Sequence, residues 1–451
     1  MLIKNISKRR VAAIQATVSA LLILLSFVFS MLPLININTD AVGFGESGGT
    51  LKESIMETVE EVTGSPIESS EIGGKISVSP IGIISSFSMY FRISGAAANN
   101  SLEAADALRA ELETESGKRS LITVSAITAI ISRIREGSGG ENMFAVIFKV
   151  IISLLGFIIM LILALALPVI LLVKAILAVI TFIRGIRTPE AIAGKLGGSL
   201  QSIILIPLFL MLIQSVCPAI SAGFGAVAVL IFALCCALIN ALITRAREYN
   251  KDELIYLNIV QGSALISLAG FFIFFFNLLG TGALSAFVLG DFIPYLAKIE
   301  SISANDPSLI INNSYIFTGV LMIAYALFAA IAVSLGDKLS RRISLAGAAH
   351  SGHAHLALFA VICCVAPFAV SGSMHLYLDP TSTAPAGDAS FLPEGSFNSG
   401  SLGWALAGAV IMLASEVLAV VLSKVLSGGL SREDKKKLLS GKAMAEYMDG
   451  E

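Results

Sequence analysis

The chain has 451 residues, of which 56% are apolar and only 14% charged, with a formal net charge of -2 and a mean hydropathy of +0.86. A soluble domain carries about 25% charged residues, so this chain has too little charged surface to cover itself in water, and its near-neutral balance gives no field that would draw in nucleic acid. Its five cysteines, Cys217, Cys235, Cys236, Cys363 and Cys364, all lie in or beside apolar runs, a pattern that argues against a disulfide framework and for thiols packed as small hydrophobes.

The apolar residues arrive in runs of 17 to 31, the length that crosses a bilayer as a helix and not the length of a core strand. Lys4, Lys8, Arg9 and Arg10 precede the first, from Val11 to about Leu34. It is too long for the core of a signal peptide and no small-residue cleavage site follows it, so it reads as a retained anchor behind an inner N-terminal tail, together residues 1–34.

Residues 35–142 form the one long polar segment, with 15 Asp plus Glu against 8 Lys plus Arg. They are expected to make a small acidic α or α+β domain outside the cytoplasm, between the first and second membrane helices, or a helical cap on the membrane. Leu51–Val62 and Ser101–Glu115 have helical spacing, and Leu121–Ile134 reads as an amphipathic helix closed by the glycine hinge at 137–140. Lys75–Ile93 is rich in β-branched and aromatic residues, which suggests strand, with Pro80 and Gly82 interrupting it.

From Met143 to Ile183 the chain is almost continuously apolar. Two readings compete: one span from Met143 to Val173 with Lys174–Arg187 along the inner surface as a basic amphipathic helix, or a hairpin turning at Pro168. Further runs lie near 199–216, 224–243, 254–279, 314–335, 356–372 and 403–426. With a single span the total is eight, both termini are inside, and 19 of the 30 basic residues fall on inner segments, while the short outer loops carry only Lys298. The hairpin would move 15 outside, against the bias of cytoplasmic loops toward Lys and Arg, and is rejected. The expected architecture is therefore an all-α polytopic protein of about eight transmembrane helices, with the bundle from 143 to 427 and a basic cytoplasmic tail from 428 to 451. Residues 287–299 are amphipathic enough for an interfacial or re-entrant helix, and 373–402 form a loop rich in Pro, Gly and Ser. No internal repeat marks an inverted-repeat transporter.

Glu416 stands out, because it falls near the middle of the last span, where an unneutralised carboxylate costs several kcal/mol. Gln214, Asn240, Gln261 and Asn277 lie in other spans and suit interhelical hydrogen bonding. Glu416 with Asn240, Gln261 and Gln214 make the candidate intramembrane polar site. Pro168, Pro207, Pro218 and Pro367 lie in or beside spans, where they suit helix kinks. His350, His353 and His355 cluster on the inner side before the seventh span, where they could share a transition-metal ion or sense pH near neutrality, though no Cys, Asp or Glu nearby in sequence completes a metal site. There is no phosphate-binding G-x-x-x-x-G-K-[ST], no dinucleotide-binding glycine motif between strand and helix, no G-x-S-x-G and no H-E-x-x-H. The expectation is thus a protein that is not an enzyme, has no cofactor and sits in the cell membrane with lipid as its main partner. It is permease-like, moving or helping move an ion, a small solute or a lipid. The alternative is a non-transporting envelope scaffold or sensor that binds a partner through residues 35–142.

Overall fold

The computed structural model describes residues 8–41, 49–63, 66–99, 110, 114–136, 143–185, 189–213, 219–246, 250–280, 334–343, 345, 352–378 and 400–439, and it is overwhelmingly helical. The run near 314–333, the 287–299 segment, most of Ser101–Glu115, the 379–399 part of the last loop, and Gln214, Pro218, Lys298 and His350 lie outside the described residues.

Helix α1 (Lys8–Ser30) sets the packing rule for the molecule. Its buried side is mostly small, with Ala12, Ala16, Ser19, Ala20 and Ser26 beside the larger Gln15 and Ile23, whereas Ile14, Leu21 and Val28 face outward. Large branched side chains outside and small ones inside is the reverse of packing in water and suits helices in hydrocarbon, where close backbone approach and not apolar burial drives association. Ser26 and Ser30 donate to the carbonyls of Leu22 and Phe27 in their own helix, so these buried hydroxyls are satisfied. Helix α1 runs antiparallel to α8 (Phe224–Ala246), with Phe29 against Phe224 and Phe232. A methyl group on Gly223 would overlap the backbone of Pro33, so only glycine lets α8 start this close to the end of α1.

Three short strands join the polar segment to these helices. β1 (Ile35–Asn38) is central, with β2 (Lys75–Val78) and β3 (Ile220–Ala222) antiparallel on either side. The Asn36 amide stitches the sheet together, its Nδ2 donating to Ala222 O and its Oδ1 accepting from Ser77 Oγ. Around the sheet lie α2 (Leu51–Thr63), α3 (Pro80–Asn99) and α4 (Glu115–Glu136). Thr50 and Glu53 close α2 with reciprocal side-chain to backbone bonds. Here the strand expectation for Lys75–Ile93 fails after four residues. Proline is preorganised for the first helical position, and Ser79 Oγ accepts the Gly82 N–H, so the residues that look like interruptions start α3.

Helix α5 (Met143–Arg184) is continuous through Pro168, with no hairpin. It does not leave its course at Lys174 either, because the residues beyond are nearly all apolar and the ammonium is satisfied within the fold, donating to Ser199 O and Ser202 Oγ. That carbonyl is free because the third apolar run is broken. α6 (Pro189–Gly198) ends at a glycine pair, a turn of 3₁₀ helix (Gln201–Ile203) follows, and α7 (Leu205–Ile213) carries Pro207 in its first turn.

The last group comprises α9 (Lys251–Leu279), a helical stretch at 334–343, α10 (His353–Leu378), α11 (Gly400–Val425) and α12 (Arg432–Leu439). Among the described residues four helices are long and apolar enough to cross a membrane: Arg10–Ser30, Ile158–Arg184, Lys251–Leu279 and Gly400–Val425. Leu196–Leu212, Phe224–Ile239 and His353–Phe368 are shorter apolar stretches.

Helices α9 and α11 cross antiparallel at a glycine contact, where a methyl group on Gly408 would overlap the backbone of Gly270 and Phe274. Gly408→Ala is expected to destabilise the protein by about 1–3 kcal/mol, the usual cost of overpacking, read as a lower thermal unfolding midpoint in detergent. Gly262→Ala on the same α9, where a methyl group meets no atom within 4 Å, should leave the midpoint unchanged or raise it.

Candidate functional site

The buried stripe of α11 runs through Ala405, Gly408, Ala409, Met412, Ser415, Glu416 and Ala419, while Val410, Ile411, Val417, Leu418 and Val421 are exposed on the other side. Glu416 therefore faces protein and not lipid. It lies nine residues before Val425, about 14 Å from that end of the helix at 1.5 Å per residue.

Three other elements reach it. Arg342, on the 334–343 helix, donates from Nη1 to Glu416 Oε2 at 2.8 Å, and both side chains are 1% exposed. His353, the first residue of α10, places Nδ1 2.8 Å from the same oxygen. Ser267 of α9 donates to Glu416 Oε1 at 2.7 Å and touches the Ser415 hydroxyl, which in turn donates to Met412 O. A carboxylate with both oxygens engaged and a guanidinium beside it is the form in which a buried charge is tolerated.

The 334–343 helix is held so that it delivers Arg342. Leu335, Leu339, Ser340, Arg342 and Ile343 are buried, and Lys338 Nζ lies 4.5 Å over the Phe359 ring of α10. Gln261 Nε2 donates to Ile343 O, satisfying a carbonyl of the last turn that has no partner within the helix. Leu345 then adopts φ 59°, and its N–H bonds Arg342 O. A non-glycine residue in that region costs roughly 1–2 kcal/mol; the Leu345 side chain is kept there by burial with Tyr256, Leu257 and Val260.

The imidazole sits in a contested position. Arg342 Nη2 lies 2.6 Å from His353 Nδ1 and always donates, whereas Glu416 Oε2, 2.8 Å from the same nitrogen, needs a proton between them. One ring nitrogen cannot accept from the arginine and donate to the glutamate together. Nδ1 therefore either carries a proton toward Glu416 or, in the Nε2–H tautomer, accepts from Arg342 while Glu416 is held by Arg342 and Ser267. Arg342 Nε and His353 Nε2 are buried without a partner among the described residues.

Of the candidate residues, the structure brings Glu416 and Gln261 into one constellation, Gln261 through the arginine-bearing helix. Gln214 and the side chain of Asn240 lie outside the described residues. Asn277 donates to Ile273 O in its own helix and does not cross to a neighbour. His353 turns inward to the carboxylate while His355 is exposed, so the two do not converge on one metal ion. Arg342 and Ser267 are not among the sequence candidates, Arg342 being counted with the inner surface charges, and His353 appears there only as one of a histidine cluster and not as a partner of Glu416. The available signal was the spacing of Arg342, since Leu339, Arg342 and Ile343 share a face, and a mid-span carboxylate demands a cation. No protein-family model, curated protein or solved structure matches the chain.

Removing one partner of a buried ion pair leaves the other charge uncompensated, at about 3–5 kcal/mol. Arg342→Met and Glu416→Gln are each expected to lower stability by that amount in detergent unfolding, and the double variant to recover most of it. Losses that simply add would show that the two charges do not share a site.

Proposed function

We propose that the chain is a permease-like, multi-pass protein of the cell membrane that moves, or helps move, an ion, a small solute or a lipid, with the Arg342–Glu416–His353 cluster as its polar site. The observation that carries this reading is the buried imidazole nitrogen caught between a guanidinium and a carboxylate. A purely structural ion pair gains nothing from a third titratable group with a contested proton, whereas a site that changes protonation or admits an ion during a transport cycle uses one. Eight crossings with both termini in the cytoplasm are the topology that goes with it, supported by the distribution of basic residues and by the antiparallel pairing of α1 with α8 and α9 with α11.

The substrate-free test is accessibility. In a cysteine-free background, Ser415→Cys beside the carboxylate is expected to react with a membrane-impermeant thiol reagent from one side of sealed vesicles. The rate should change between about pH 5 and pH 8, the range in which histidine titrates. A thiol inert from both sides at every pH would reduce the cluster to a structural clamp and favour the scaffold or sensor reading. For the topology, Glu190→Cys, Lys251→Cys and Arg341→Cys should be labelled only from the cytoplasmic side of intact cells or inverted vesicles. Labelling of any of them from the exterior would overturn the assignment.

A further inference from the structure

Away from the ion cluster, α3 and α4 face each other across hydroxyls where a packed helix pair would carry apolar side chains. Between them and the end of β2 lies a cavity of about 520 Å³, lined on one wall by Ser79, Gly82 and Ser86 and on the other by Ser116, Arg119 and Ser120. A second cavity of about 170 Å³ adjoins it, sharing Ser116 and Ser120 and adding Arg92. The two walls touch through Ser85 and Ser120, whose oxygens are 3.2 Å apart.

Three features of this space point to one chemistry. The first turns of both α3 and α4 open on it; the Gly82 and Gly117 N–H groups are capped by Ser79 Oγ and Thr114 Oγ1, but both helix starts bring positive potential to the space. Ser86 on its wall is 1% exposed, yet its hydroxyl has no partner among the described residues, and a buried hydroxyl without a bond is costly unless something else fills it. Arg119 holds its guanidinium outward, the side chain 84% exposed, with only a loose 3.9 Å contact to Glu115. Hydroxyl donors, two helix starts and a guanidinium suit an oxyanion, and the larger volume lies in the range that takes an organic ligand whole.

We propose that this groove binds a phosphate-bearing ligand through the phosphoryl oxygens, with Arg119, Ser86 and Ser120 as donors. The phosphoryl group has two sources, a soluble phosphoester or a phospholipid headgroup. The outward face of α3 bears on the choice, since Ile81, Ile84 and Phe91 lie exposed along it, where an acyl chain or bilayer surface would cover them. Glu115 is the one carboxylate on the lining, and its charge opposes the ligand.

The full-length protein in neutral detergent is titrated with glycerol phosphate by calorimetry and, separately, with phosphatidylglycerol by native mass spectrometry. Saturable binding in the first assay identifies a soluble ligand; binding in the second alone identifies the lipid. In whichever assay binds, Arg119→Gln should weaken affinity tenfold or more, Ser86→Ala severalfold, and Glu115→Gln should tighten it. Arg119 and Glu115 are surface residues, so those variants keep the fold. Binding of neither probe, or equal affinity in the wild type and both charge variants, overturns the proposal.

Discussion

The pairing of Glu416 with Arg342 is the interaction on which the last third of the chain depends. Neither charge is tolerable alone where they sit, because moving an isolated ion out of water costs several kcal/mol even after relaxation. Each therefore requires the other, and that requirement dictates where helices can lie. The arginine comes from a helix end, the carboxylate from the interior of α11, the imidazole from the start of α10 and the hydroxyl from α9. Four separate helical elements must converge within hydrogen-bond reach, so the ion pair specifies register as much as it contributes stability.

Such convergence needs thin helices. Gly270 and Gly408 let α9 and α11 approach until their backbones touch, and the serines at 267 and 415 are small enough to meet inside that contact. On α1 and α8 the same rule operates with Ala12, Ala16, Ala226, Ala233 and Ala237 buried. Bulky Ile, Leu and Val crowd the outward faces of α5 and α11, where hydrocarbon would accept them. The polar residues inside and the apolar residues outside are two consequences of one solvent.

Much of the helical order was readable because hydrophobic runs of bilayer length leave little choice of secondary structure, and Glu416 was readable because its cost has no local remedy. Its partners were not. A basic residue after a span satisfies the rule for cytoplasmic loops whether or not its side chain turns inward, so Arg342 was invisible among Lys338 and Arg341 until the burial of Leu339 and Ile343 placed it. His353 was masked by its neighbours His350 and His355, which suggest a metal site by spacing alone. The break after α6 and the helix starting at Pro80 were misread for a common reason. Apolar and β-branched content sets where a segment lies, but caps and glycine pairs set where it starts and stops, and Ser79 and Gly197-Gly198 outweighed composition. The strand at 220–222 had no sequence signature, since three residues gain their form only from the edge of β1 that they meet.

The cluster also constrains movement. Any displacement of α11 along α9 by one helical turn would carry Glu416 about 5.4 Å from Ser267, beyond hydrogen-bond reach of it and away from the fixed end of the 334–343 helix. With the carboxylate charged, that motion would strand both it and Arg342 in apolar surroundings. With Glu416 protonated and His353 in its neutral Nε2–H tautomer, the carboxyl would move as a neutral group, and Arg342 would still have the bare imidazole Nδ1 at 2.6 Å to accept from it. The charge on one carboxyl group would thus decide whether such a displacement strands two ions, which ties its protonation to the relative placement of four helical elements.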